Sequence, residues 1–177
     1  MMAAPAPEIL SQQLLPDPAA TAGFAAALAP LLRQGDVIAL WGDLGAGKST
    51  LARALIQHLT RDSEDVPSPT FTLVQTYPGE IEGKAIELWH FDLYRLTQPE
   101  QAYDLAIEEA FQDGISLIEW PDRLGYLLPR ERLDLHLESA GPETSGEGRL
   151  LKVSGSPAWR TRLAQLNLDG PKLGGAS

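Results

Sequence analysis

The stretch DVIALW, Asp36 to Trp41, runs directly into GDLGAGKS, Gly42 to Ser49, and the reading of these two pieces decides the fold. The apolar run is too short for an independent helix and stops at a glycine, the pattern of a strand buried on both faces. Beyond the glycines, Lys48 to Leu59 sets Leu51, Leu55 and Leu59 one above another at helical spacing. Between strand and helix the pattern Gly-x-x-x-x-Gly-Lys-Ser is matched in full, in the context that a phosphate-binding loop (Walker A) needs. Glycines admit backbone conformations and close approach that a Cβ blocks, so successive N–H groups turn inward around a phosphate. The helix N-terminus adds partial positive charge. Lys48 reaches the β- and γ-oxygens of a triphosphate, and the Ser49 hydroxyl suits a magnesium ion bridging them. A Gly-rich turn of purely structural use is the rival reading, and the correct flanks disfavour it.

Working outward toward the N-terminus, Gly35 ends a helical pattern of Phe24, Ala27, Leu28, Leu31 and Leu32, which Pro30 is expected to kink. Asp17-Pro18 reads as its N-cap followed by proline at the first helical position. Residues 1–16 read as a loose, flexible N-terminus, residues 17–166 as one domain, and the Gly-rich residues 167–177 as a flexible tail. Toward the C-terminus, Thr60 to Pro69 is polar and holds prolines, hence a loop. Phe71 to Tyr77 and Lys84 to Phe91 flank Pro78-Gly79-Glu80 and look like an antiparallel pair. Pro99 opens a helix whose Tyr103, Ala106, Ile107, Ala110 and Phe111 share a face. Gly114 ends it, and ISLIEW, Ile115 to Trp120, is a second buried strand. RLDLHLE and RLLKVSG are further strands around the loop Ser139 to Glu147, and Ser156-Pro157 opens a last helix. Strands alternating with helices, plus an antiparallel portion, give an α/β fold: a single domain with its sheet layered with helices.

Composition narrows the function. The 177 residues carry 14 Lys and Arg against 24 Asp and Glu, a net charge of −10, so the overall field repels nucleic-acid backbones. There is no cysteine, which removes thiolate metal sites and thiol nucleophiles. No signal-like segment and no apolar run of spanning length is read, so the chain is expected in the cytoplasm with no membrane partner. Hydrolysis needs an acid at a strand end beside the phosphate loop. Two acids qualify, Asp92 after AIELWHF and Glu119 after ISLI, although each also reads as a simple solvent-facing strand cap. His90, on the strand face of Ile86 and Leu88, reads as structural. Thr70 and Thr72, in SPTFT, stand where a switch hydroxyl could meet magnesium or the γ-phosphate, and strand propensity explains them equally well.

The series GDLGAGKST, SPTFTLV (Ser68 to Val74), HFDLYRL (His90 to Leu96) and LIEWP (Leu117 to Pro121) resembles the TsaE (YjeE) family, bacterial ATPases of tRNA threonylcarbamoyladenosine biosynthesis. The resemblance covers roughly residues 17–155. It implies a P-loop NTPase-type fold, a central mixed β-sheet flanked by helices in a single domain, and a cytoplasmic ATPase that uses ATP and Mg2+. Its implied partners are the TsaD-like threonylcarbamoyl-transferase subunit and the TsaB-like paralogous scaffold, with tRNA reached only indirectly through that complex. By motif it implies that Leu44, Gly45, Ala46, Gly47, Lys48 and Ser49 hold the phosphates and that Ser49 and Glu119 coordinate magnesium. It further implies Asp92 as the water-positioning group, Thr70 as a switch-like contact, and Pro18 and Arg149 near the base and sugar. Trp120 and the segment His90 to Arg95 are implied as partner-facing. Ser49 stands where the family usually has Thr, which keeps the hydroxyl, and the Gly-rich extension lies beyond the family core.

Three rivals share the phosphate loop. A small-molecule kinase usually needs an Arg-bearing lid, and Thr60 to Ser68 holds only Arg61. A GTPase switch would need a guanine reader of the Asn/Thr-Lys-x-Asp kind, which the chain lacks, although Asp122 to Gly125 mimics an Asp-x-x-Gly switch. A nucleotide-dependent assembly module would load ATP and scarcely turn it over.

Overall fold

In the computed structural model, which describes residues 8–60, 72–141 and 148–166, the apolar run after Asp36 forms β2 (Val37–Trp41), with all but Trp41 buried. Around it stand β1 (Glu8–Leu15), β3 (Val74–Ile81), β4 (Lys84–Asp92), β5 (Gly114–Glu119), β6 (Leu133–Ser139) and β7 (Arg149–Gly155). Their order is β1-β7-β6-β2-β5-β4-β3. Strand β2 runs parallel to β5 and β6, and β4 parallel to β5. Both wings of the sheet are antiparallel. The expected mixed sheet flanked by helices is the one found.

Alternating side chains send each strand's residues to two faces. On one face Ile38, Leu40, Leu117 and Leu135 join a core with α1 (Pro18–Leu28), α2 (Lys48–Thr60) and α4 (Pro157–Leu163). On the other, Val37, Phe91 and Ile118 pack with Ile107 and Ala110 of α3 (Ile107–Asp113). A parallel centre needs both faces covered, which explains why its strands are nearly continuous apolar runs. The cap of α1 is as read, with the Asp17 carboxylate accepting the Ala20 N–H at 2.8 Å and Pro18 in the first turn. Pro30 falls in a single 3-10 turn, Ala29–Leu31, where the α-helix gives way. No helix among the described residues is long and apolar enough to cross a membrane.

Three elements differ from the sequence reading. Part of the N-terminal segment taken as loose is strand β1, paired antiparallel with β7 from Glu8↔Gly155 to Leu15↔Arg149. Its inward residues Gln13 and Leu15 are buried, so a partner more than a hundred residues away, rather than local pattern, orders it. The β3–β4 turn is Glu82-Gly83, not Pro78-Gly79-Glu80. Both turn residues have positive φ, +50° and +79°, the requirement of a tight hairpin turn that matches strand twist. Pro78 instead sits inside β3, which is an edge strand and tolerates a missing N–H. The helix expected from Pro99 is two pieces: a 3-10 segment Pro99–Leu105, then Ala106 in the left-handed region, then α3. Tyr103 is correspondingly exposed while Ala102, Ile107 and Ala110 are buried. The expected tail, residues 167–177, lies outside the described residues.

The turn assignment has a direct test. Gly83→Val forces a β-branched residue to positive φ and should destabilise the protein by about 1–2 kcal/mol. Pro78→Thr should stay within about 0.5 kcal/mol of wild type. Denaturant midpoints measure both, and a larger loss at Pro78 would contradict the assignment.

Candidate functional site

The carboxyl end of β2 enters the loop at Gly42, whose φ is +147°. A Cβ there would lie 2.6 Å from the Leu137 carbonyl oxygen and 2.9 Å from the Ala46 Cβ. Only glycine lets the chain pass this close to β6. Inside the loop the Ala46 N–H donates to the Asp43 carbonyl at 3.0 Å, and the first intrahelical bond runs from Leu51 N–H to the Gly47 carbonyl at 3.0 Å. The amides of Lys48, Ser49 and Thr50 therefore precede the helical ladder, as the opening amides of any helix do. Arg149 at the start of β7 braces the turn: its Nε donates to the Ala46 carbonyl at 2.8 Å and its Nη2 to the Gly45 carbonyl at 3.3 Å.

Lys48 is only 5% exposed. Its ammonium donates to the carbonyls of Gly42 at 2.5 Å and Asp43 at 2.8 Å, and sits 4.2 Å from the centre of the Trp120 ring. Burial lowers its pKa below the ordinary 10.5, opposed by the nearby carboxylates of Glu119, Asp92, Asp43 and Asp122. Asp92 and Glu119 close their strands side by side, in register across the parallel β4–β5 pair. Both are buried. The Ser49 hydroxyl donates to Glu119 Oε1 at 2.7 Å, His90 Nε2 lies 2.8 Å from Oε2, and Asp92 Oδ1 accepts the Tyr94 N–H at 3.2 Å. Trp120 holds a left-handed backbone, φ +59°, and its ring meets that of Tyr94 at 5.0 Å.

A cleft of about 280 Å³ runs from Leu44 through Gly45, Ala46, Gly47, Lys48 and Ser49 to Asp92, Glu119, Trp120 and Arg149. The fold thus brings together nearly all of the residues singled out in the sequence. Pro18, exposed at the start of α1, is not among the residues lining that cleft. Thr70 lies outside the described residues. Of the segment from His90 to Arg95 expected to face a partner, His90, Phe91, Asp92 and Leu93 are buried, and Tyr94 and Arg95 are exposed. Sequence reading also took His90 as structural and missed its contact with Glu119. The available signal was its parity with Asp92, which puts both on the face toward α2.

A desolvated cation beside a hydroxyl–carboxylate pair, at the carboxyl edge of parallel strands, is what a triphosphate and a hard, oxygen-seeking cation require. The fold and its loop are those of the P-loop NTPase class. Within that class, a family model described as "Threonylcarbamoyl adenosine biosynthesis protein TsaE" matches residues 15–147, stopping short of Arg149. The chain is 37% identical over 128 residues to a Rickettsia bellii protein, covering 72% of this chain and 86% of that one. It is 36% identical over 136 residues to a Streptomyces coelicolor protein, covering 76% and 90%. Both carry the name tRNA threonylcarbamoyladenosine biosynthesis protein TsaE. The crystal structure of Bacillus subtilis YdiB superposes with a TM-score of 0.71 at 26% identity, covering 92% of this chain and 95% of that one. The chain belongs to the TsaE family.

The Lys48 environment predicts a pH dependence. A bound polyphosphate raises the lysine pKa above its free-state value, so affinity is complete below the free-state pKa and is lost as pH rises through the bound-state one. Because the free-state value is lowered, any affinity for a polyphosphate should begin to fall below pH 10.5. Titrations across the alkaline range check this, and a flat profile beyond pH 10.5 would contradict it.

Proposed function

We propose that the chain is an ATPase that binds ATP with magnesium at Gly42 to Ser49. In this reading it serves threonylcarbamoyladenosine modification of tRNA in the cytoplasm, working with a TsaD-like transferase subunit and its TsaB-like scaffold. The observation that carries the enzymatic part is the Lys48 ammonium, withdrawn from water onto two main-chain carbonyls next to the Ser49–Glu119 contact. The pathway part is supported by family membership and by the name shared among the relatives.

Lys48 exchanges its carbonyl partners for the β- and γ-phosphate oxygens, trading neutral hydrogen bonds for charge-assisted ones. The amides that open α2, with those of the loop from Leu44, cradle the phosphates. Ser49 and Glu119 present the hard oxygens that would hold magnesium, which when bound would neutralise charge on the phosphate oxygens. Asp92, buried beside Glu119, orients the attacking water and accepts its proton. Thr70 is assigned a switch-like contact with the γ-phosphate, and Arg149 fixes the loop while facing the sugar side. Pro18, outside the cleft lining, has no part in this assignment. With a net charge of −10, the chain leaves the grip on tRNA to its partners.

Lys48→Ala should weaken ATP binding at least about tenfold, a loss of roughly 1.4 kcal/mol or more. Glu119→Gln and Asp92→Ala should slow phosphate release about 10²-fold or more, with a smaller effect on affinity. Unchanged affinity in the first, or wild-type turnover in both others, would contradict the roles given. A reconstituted modification assay separates this reading from a nucleotide-loaded assembly module. ATP should support many rounds of tRNA modification and a non-hydrolysable analogue about one, whereas equal multi-turnover yields would remove the need for hydrolysis.

A further inference from the structure

His90 and Glu119 form a buried pair that the roles above leave half used. His90 is fully buried and Glu119 is 2% exposed. The two meet at 2.8 Å between Nε2 and Oε2, while the other carboxylate oxygen takes the Ser49 hydroxyl at 2.7 Å. Register explains the meeting. His90 stands opposite Leu117 on the neighbouring parallel strand, so Glu119 is its diagonal neighbour on the same face, within reach of long side chains. An ionised carboxylate only accepts, so the contact requires the imidazole proton on Nε2. The remaining ring nitrogen agrees: Nδ1 is buried and has no hydrogen-bond partner among the described residues. A bare acceptor there is tolerable, whereas a buried N–H without a partner is costly.

We infer that His90 is a positioning residue: as an Nε2–H donor it pins Oε2 of Glu119, so that only Oε1, the oxygen beside Ser49, turns toward the cleft. A carboxylate on a flexible side chain otherwise presents either oxygen through several rotamers, and ordering it at the moment of metal binding lowers affinity. One fixed donor behind the ligand removes that cost. The inference rests on the proposed reading of Glu119 as a magnesium ligand and adds the device that orients it. It also accounts for a histidine placed two residues before Asp92, where an aliphatic side chain would satisfy the core.

The experiment measures how strongly magnesium tightens binding of a non-hydrolysable ATP analogue, as the ratio of dissociation constants in EDTA and in excess Mg2+. It compares wild type, His90→Phe, His90→Gln and Glu119→Gln. Phenylalanine keeps the ring volume without a donor, and glutamine restores an N–H at about the reach of Nε2. His90→Phe should shrink the magnesium effect about 10- to 100-fold, as Glu119→Gln does, while His90→Gln keeps most of it and binding in EDTA is the same throughout. If His90→Phe retains the wild-type ratio while Glu119→Gln loses it, the inference fails and the reading of Glu119 stands. If Glu119→Gln itself retains the ratio, both fall. Loss of binding in EDTA by both histidine variants would reduce His90 to a packing role and overturn the inference. Should the phenylalanine variant not fold, imidazole nitrogen NMR of the wild type decides. A proton on Nε2 supports the inference, and a bare Nε2 overturns it.

Discussion

A lysine ammonium held almost out of water is the constraint on which the rest of the structure depends. Desolvating an ion costs several kcal/mol unless the surroundings repay it. Around Lys48 the repayment comes from two carbonyls of its own loop, the face of Trp120 and the fields of Glu119 and Asp92. Those groups come from β2, β4, β5 and the residues just after them, and they converge only because the three strands are parallel and end at one edge. The sheet order, with β2 between β5 and β6, places the loop where the chain leaves the sheet in two directions, the position at which open α/β sheets bind ligands.

The antiparallel wings have a different task. Strand β7 carries Arg149 beside the loop, where its guanidinium takes up the Ala46 and Gly45 carbonyls. Strand β1 in turn pairs along β7, so the strand that bears this brace is not left with a bare edge. At the opposite wing, Pro78 blunts the edge strand β3. The parallel centre thus supplies the buried groups of the candidate site, and the wings brace its loop.

Legibility in the sequence followed how local each determinant is. The strand–loop–helix unit was readable because glycine spacing, the Lys-Ser pair and the leucine period lie within one short stretch and agree. Asp92 and Glu119 were readable as strand ends, yet nothing in either segment says that the two strands are neighbours in register. That pairing is a property of the sheet, and the His90–Glu119 contact depends on it. Strand β1 escaped because EILSQQLL lacks clean alternation and is ordered by β7. The hairpin turn was misplaced because Pro-Gly is a strong turn signal in isolation, whereas the twist of β3 and β4 demanded two positive-φ residues, met by Glu82-Gly83. The helix expected from Pro99 had a sound period, but Ala106 breaks it so that α3 can bury Ile107 and Ala110 against Phe91 and Ile118.

We propose that the turn from Gly42 to Ser49 is a pre-built receptor for a triphosphate, with Lys48 held on its own loop carbonyls until the ligand arrives. A crystal structure of the chain with magnesium and a non-hydrolysable ATP analogue tests that most directly. The account predicts phosphate density enclosed by that turn, with the Lys48 ammonium moved from the Gly42 and Asp43 carbonyls onto phosphate oxygens. An empty turn with Lys48 still on those carbonyls, at ligand concentrations that saturate other P-loop proteins, would contradict it.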